Sequence, residues 1–280
     1  MGKEETAPVE VTRDGSVTIV RLANDENRNS MTQAMRDAIA ATFHELETDA
    51  DCRAVYLTGS GQSFCAGGDL PMLKNEMDPW STHARFNRTA QWLTALIRFR
   101  KPVVVGVNGY AIGGGFGLSL VGDTIIAAES AQFMAGFFRL GVIPDIGVMY
   151  NLPRLIGLAR ARTFIFENKT WSGKEAVENG VASAVVPDDR LDEECLKRAH
   201  AFANGPIETM GLAKWLMGRT FESSLDDMMA FENLGQSLAF TSQAFQAGLD
   251  GLINKKKPDF AAASERETFV KAARARKKAK

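Results

Sequence analysis

Two glycine clusters carry the clearest chemical signal in this chain: Ala66-Gly67-Gly68 within Ser63 to Leu70, and Gly113-Gly114-Gly115 at the end of Val107 to Gly115. Glycine where a chain leaves a strand serves either a tight turn with positive φ or a place where backbone must come close to a ligand. One such loop is explained by the turn alone. Here two of them follow apolar runs, Ala54 to Thr58 and Pro102 to Val107, and the second opens a helix-like segment. Two backbone N–H groups can then converge on one point, beside the partial positive charge of a helix start. Such a pair suits an oxygen on which negative charge develops, as on a thioester carbonyl becoming an enolate or in a tetrahedral intermediate. Losing one donor of this kind costs on the order of 3 kcal/mol of barrier, so the device alone supplies a large acceleration.

Competing chemistries find little support. The second cluster lacks the Gly-Lys-Ser/Thr ending of a P-loop, and His44, His83 and His200 are far apart, so no metal site is expected. Cys52, Cys65 and Cys195 are odd in number and unrelated in spacing, which argues against disulfides and fits a reducing compartment. Cys65 stands beside the first glycine loop, but no histidine lies in a partner position, and it reads as buried packing.

The 280 residues are 45% hydrophobic and 24% charged, an ordinary globular composition with one main core. A formal net charge of -1 creates no global field for nucleic acid or an anionic membrane. Between Lys101 and Asp123, 21 uncharged residues approach the length of a membrane span, but seven are glycine and the segment breaks at Asn108-Gly109. No membrane partner is expected. Met1 to Glu10 has no apolar signal-peptide core, so the expected location is cytoplasmic. Met1 to Thr6 matches the N-myristoylation pattern with nothing else supporting an anchor, and the last ten residues hold six lysines or arginines.

Positioning the loops requires a frame. Strand-like runs occur at Ser16 to Leu22, Arg53 to Thr58, Pro102 to Val107, Asp123 to Ala128 and Ala182 to Val186. Helix-like segments separate them at Thr32 to Thr48, Arg85 to Phe99, Gly115 to Val121 and Gly173 to Glu178. The alternation predicts an α/β fold with a largely parallel sheet. Beyond about Asn204 the pattern is helical only, at Glu208 to Met217, Ser224 to Ala239 and Ser242 to Ile253. Met228, Met229, Phe231, Leu234, Leu238 and Phe240 make that part apolar enough to call for self-association.

Four stretches taken in order are similar to the successive signatures of the crotonase (enoyl-CoA hydratase/isomerase) superfamily: Ser63 to Leu70, Val107 to Gly115, Leu140 to Gly147, and Ala176 to Ala182. The resemblance runs over about residues 10 to 260. It implies a crotonase-like spiral of ββα units over residues 1–204 and a C-terminal α-helical trimerisation region over 205–280. It also implies an acyl-CoA thioester substrate, with coenzyme A present only as part of that substrate and no further cofactor. A homotrimer or dimer of trimers would follow, with no role for nucleic acid. By position in the motifs, Gly68 and Gly114 would give the oxyanion N–H groups, and Arg28 and Ala66 would belong to the CoA site. Phe260 looks like the aromatic that the family lends to a neighbouring subunit's adenine.

Carboxylates must then choose among the family's reactions. Hydratases of this type use two glutamates, at positions that read Gly117 and Phe137 here. What remains is Asp145 in Ile143-Pro144-Asp145-Ile146-Gly147, where isomerases and a dehalogenase of the superfamily place an acid. Hydration must activate water and also protonate the α-carbon, whereas a 1,3-proton shift can reuse one carboxylate. An enoyl-CoA or ring-derived acyl-CoA isomerase is therefore expected, with Gly117 and Phe137 at the acyl pocket. Alternatives stay open. Pro-Asp-x-Gly is also a good turn sequence, and paired phenylalanines, Phe137 and Phe138, are commonly core. A hydratase, a CoA-thioester hydrolase, or a non-catalytic acyl-CoA- or RNA-binding member would share the fold. An aryl-CoA dehalogenase would need a pocket tryptophan, such as Trp80 or Trp92.

Overall fold

The computed structural model describes residues 7–74 and 78–264; the N-terminal myristoylation pattern and the basic C-terminal segment lie outside the described residues. Strands β1 (Val9–Asp14) and β2 (Val17–Leu22) form an antiparallel hairpin. Gly15, at φ +57°, opens its two-residue turn. Beside β2, all in parallel, lie β3 (Ala54–Gly59), β5 (Val103–Val107), β7 (Thr124–Ala128) and β10 (Ala184–Val186). β3 and β5 are buried along their whole length, which is why they read as continuous apolar runs.

A second sheet carries the site. β4 (Ser63–Cys65), β6 (Tyr110–Ile112), β8 (Gln132–Met134) and β9 (Thr170–Ser172) pair in that order. The first three run parallel and β9 antiparallel. Each of β3, β5 and β7 thus hands the chain to a three-residue strand of the other sheet, giving the repeated unit of the fold. These four short strands, and β1, were not anticipated from the sequence. Three residues are too few to show a period of two, so Ser63 to Cys65 reads as loop until its partner at Tyr110 is known.

Among the helices, α1 (Gln33–Thr48) begins at Thr32, whose hydroxyl accepts the Met35 N–H at 3.1 Å. After the short α2 (Leu70–Leu73), α3 (Pro79–Ile97) starts six residues earlier than expected, because Asp78 caps it and Pro79 suits its first turn. His83 therefore sits on a helix, exposed and 3.0 Å from the Asn87 amide. α4 (Gly114–Ser119) is fully buried. α5 (Val148–Ile156) and α6 (Leu158–Phe166) follow the 145–147 turn and are separated by Gly157. α7 (Gly173–Glu178) is closed by a Ser172/Glu175 capping box, and α8 (Leu191–Ala203) packs on β3, β5 and β7. The chain continues as α9 (Ile207–Met217), α10 (Leu225–Phe240) and α11 (Gln243–Ile253). No helix among the described residues is long and apolar enough to cross a membrane.

Candidate active site

The two glycine clusters meet because β4 and β6 are adjacent parallel strands, in register at Ser63↔Tyr110 and Cys65↔Ala111. Their exits lie one strand spacing apart, about 4.8 Å. Gly67, at φ +92°, turns the first loop so tightly that a Cβ there would stand 2.5 Å from the Ile112 carbonyl oxygen and 3.5 Å from the Gly114 nitrogen. Gly115 is equally constrained, its Cβ position lying 2.0 Å from the Cys65 oxygen. Side chains are excluded on both loops by the other loop's backbone. Neither Gly68 N–H nor Gly114 N–H has an acceptor among the described residues. Gly67 N–H instead bonds the Cys65 thiol, and Gly113 N–H donates to the Met134 carbonyl at 2.9 Å.

The same fastening places Arg28 and Ala66 together. The Ala66 N–H donates to the Arg28 carbonyl at 3.0 Å, and Met31 N–H to the Gly67 carbonyl at 2.7 Å. Asn29, fully buried at φ +54°, is the pin: its amide donates to the Ser60 and Ser63 carbonyls, and its Oδ1 accepts from Asn24 N–H. Arg28 is exposed at the rim of this loop and Ala66 is half-buried beside it.

Asp145 lies half-buried in the turn before α5. The next residue, Ile146, presses on α4: its Cγ1 is 3.2 Å from a Cβ position on Gly114, and its carbonyl oxygen 2.3 Å from one on Gly117. Gly117 therefore contributes no open space, because the Ile146 backbone fills it. Phe137 is 8% exposed and belongs to the hydrophobic core, while Phe138 is 43% exposed and packs on Phe166. Burial raises the Asp145 carboxyl above its ordinary range, opposed by the positive charges of Arg36 and Arg85. Apart from its own N–H, that carboxyl has no hydrogen-bond or ion-pair partner among the described residues.

Residues 12–263 match the family described as enoyl-CoA hydratase/isomerase. The chain belongs to that family. It is 32% identical over 250 residues to a probable enoyl-CoA hydratase of Mycobacterium bovis, covering 89% of this chain and 96% of the relative. It is also 32% identical over 249 residues to the 1,2-epoxyphenylacetyl-CoA isomerase of Escherichia coli, covering 87% and 94%. The crystal structure of an enoyl-CoA hydratase/isomerase from Cupriavidus metallidurans superposes with TM-score 0.87 at 26% identity, over 92% of this chain and 97% of that one. This enoyl-CoA hydratase/isomerase family member therefore has the crotonase α/β fold, with two mixed sheets and C-terminal helices.

Not every expected residue joins the cluster. The Phe260 ring lies 3.6 Å from a Cβ position on Gly248, and its carbonyl accepts from Arg53 at the start of β3, the end away from Ala66. It lines a cavity of about 320 Å³ with Asn204, Lys257, Pro258, Asp259 and Ala261. Trp80 is 83% exposed and Trp92 packs against the core. The Cys65 thiol is fully buried and pushed up to about 12 by that burial, so it is no nucleophile at neutral pH. No cluster of three metal-ligating side chains occurs among the described residues.

The charges of Arg36, Arg85 and Asp69, to which none of the four motifs gives a role, act on one another or on Asp145 across the site. Arg36 is 9% exposed, with Nη1 donating to the Met31 carbonyl at 2.6 Å and Nη2 to Gln33 Oε1 at 3.1 Å. An arginine on the apolar side of α1 is a signal that the helical pattern of Met35, Ile39, Phe43 and Leu46 could have supplied.

Proposed function

We propose that this family member is an isomerase of enoyl-CoA or ring-derived acyl-CoA thioesters, using Asp145 as its single acid/base. The Gly68 and Gly114 N–H groups are its oxyanion donors. The observation that carries this is the 145–147 turn: it packs Ile146, the residue next to Asp145, against the glycine helix at Gly114 and Gly117, and so fills the place where a hydratase glutamate would stand at 117. Phe137, buried in the core, leaves the second hydratase position without an acid.

The chemistry balances with one carboxylate. Asp145 accepts a proton from the α or γ carbon of the acyl chain, and the electron pair moves into the thioester carbonyl, giving a dienolate. The two N–H donors hold that oxygen where its charge develops, in a site from which side chains are excluded. Asp145 then returns the proton to the other carbon and the carbonyl re-forms with the double bond moved. General acid/base work of this kind contributes 10² to 10⁴ in rate. Partial desolvation makes Asp145 a stronger base than a surface aspartate, which suits a weakly acidic C–H.

Covalent attack by Asp145 on an aryl ring, as in a dehalogenase, draws less support, because Phe137 stands where a tryptophan is expected. The 1,2-epoxyphenylacetyl-CoA isomerase relative favours keeping ring-derived substrates in the test set. The test is turnover of 3-enoyl-CoA and 2-enoyl-CoA in D₂O, following double-bond position and deuterium at the α and γ carbons. Migration or exchange that disappears in Asp145→Asn is the expected result. Accumulation of 3-hydroxyacyl-CoA or of free CoA would instead assign a hydratase or a thioester hydrolase. A wild type that binds acyl-CoA or RNA but turns nothing over would make it a binding protein.

A further inference from the structure

Among the described residues, Arg36 is the guanidinium most closely built into the site's framework, and it does so without a direct carboxylate partner. Its Nη1 donates to the Met31 carbonyl at 2.6 Å, while Nη2 donates to Gln33 Oε1 at 3.1 Å and lies 3.7 Å from the Met72 sulfur. Met31 is the residue that stitches the first glycine loop in place. Its N–H donates to the Gly67 carbonyl, its backbone pairs in parallel with Gly68, and its Cγ lies 3.8 Å from a Cβ position on Gly114. Met31, just ahead of the Thr32 cap of α1, therefore touches both oxyanion loops, and Arg36 on that helix holds it by its carbonyl.

The charged groups acting on this guanidinium come from its own helix and from three other segments. Asp37 lies on α1, Asp69 follows the first glycine loop, Asp145 precedes α5, and Arg85 on α3 repels it. Neither Asp69 nor Asp145 is close enough for an ion pair with Arg36. A charge this deeply buried is retained only where its hydrogen bonds and field repay the desolvation.

We propose that Arg36 is a positioning residue of the isomerase reaction: it holds Met31, which meets Ile146 of the Asp145 turn at Gly114, and so fixes the Gly68 donor with its own charge on the side of that turn. This rests on the one-carboxylate isomerase proposed above and deepens it. Desolvation makes an aspartate hold its proton to higher pH; the field of a nearby cation opposes this and keeps more of it ionised as a base. Arg85 adds to that field from the other side.

Two variants separate the roles. Arg36→Gln removes the charge while keeping an amide N–H on a shorter side chain, and Arg36→Lys keeps the charge. The Asp145 carboxyl is followed directly, by ¹³C NMR titration of the full chain labelled at aspartate, with Asp145→Asn identifying its resonance. Arg36→Gln is expected to raise the Asp145 midpoint by about one pH unit, the low end for loss of a nearby opposite charge. Arg36→Lys is expected to restore most of it. In D₂O exchange on the acid side of the Asp145 midpoint, Arg36→Gln lowers kcat up to about tenfold with KM little changed, and the loss shrinks as pH rises through that midpoint. A folded Arg36→Gln with an unchanged Asp145 midpoint overturns the inference, as does a midpoint that Arg36→Lys moves just as far. If Arg36→Gln does not fold, Arg36→Lys alone decides, because it must then titrate Asp145 as the wild type does. Absence of exchange in the wild type would sink the isomerase, while the NMR midpoints would still decide the role of Arg36.

Discussion

The carbonyl oxygen of Ile146 stands 2.3 Å from where a Cβ on Gly117 would lie, so neither residue can change without moving the other. Ile146 has φ +45°, an uncommon conformation for a β-branched residue. Strain of this kind persists only where its surroundings fix it. The turn bearing Asp145 and the helix bearing Gly114 are fitted to each other at this point.

Restoring a glutamate at position 117 is therefore expected to fail as a route to hydratase activity. Gly117→Ala should already cost about 1–3 kcal/mol from overpacking, read as a lower denaturant midpoint with unchanged slope. Gly117→Glu should cost more and displace Asp145, losing isomerisation without gaining hydration. A stable Gly117→Glu that forms 3-hydroxyacyl-CoA would show that the turn yields.

Asp145 makes opposite predictions for activity and stability. Its folded value lies above the ordinary 3.8, because burial outweighs Arg36 and Arg85. The stability it contributes is therefore fully present below pH 3.8 and is lost as pH rises through the raised value. At neutral pH the native state carries a partly desolvated carboxylate. Asp145→Asn should melt at a higher temperature than wild type at pH 7 and lose this advantage in acid. Catalysis runs the other way: kcat/KM should rise with pH through the same raised value, since only the ionised form is a base. A variant that is no more stable at pH 7, or an acid limb in the ordinary aspartate range, would contradict this assignment.

Gly114→Pro deletes one donor directly, at the cost of setting a ring against Ile146, whose Cγ1 is 3.2 Å from the Cβ position. Gly114 is the first residue of α4, with Gly113 before it at φ +56° and ψ −120°. Proline is tolerated at a first helical position, where its missing N–H breaks no helical bond. Gly114→Pro should lower the denaturant midpoint through this crowding, yet in the folded fraction keep secondary structure and oligomer mass while kcat falls by 10² to 10³. Near-normal turnover in a folded Gly114→Pro would remove that N–H from the mechanism.

Sequence and structure agree where one residue type has one physical cause. The long strands were legible because β3 and β5 are buried on both faces, and the glycine loops because the opposing backbone leaves no room for a Cβ at Gly67 or Gly115. Asn29 and Arg36 were not legible. Asn29 acts through Ser60 and Ser63, and Arg36 through Met31 and the field at Asp145, so each acquires its role only when distant segments meet. Gly117 was legible as a missing acid but not as a filled space, since its neighbour is backbone from the 145–147 turn.

We propose that Phe260 reaches the acyl-CoA site of a neighbouring copy. In its own chain it is tied to Arg53 at the start of β3, whereas Arg28 and Ala66 lie past the other end of that strand. Six residues of strand span roughly 20 Å, so Phe260 meets the Arg28–Ala66 loop only if another copy brings it there. The helices on that side expose Leu234 and Leu238 at 66% each, with Phe240 at 54%, an apolar surface that a second copy would cover. The expected particle in light scattering is a trimer or a dimer of trimers. Phe260→Ala should raise KM for acyl-CoA severalfold while leaving mass and kcat unchanged. The double variant Leu234→Lys, Leu238→Lys should lower the mass and raise KM together. A monomer that turns over substrate with wild-type KM would separate Phe260 from the CoA site and leave its cavity with Lys257 and Pro258 a feature of the single chain.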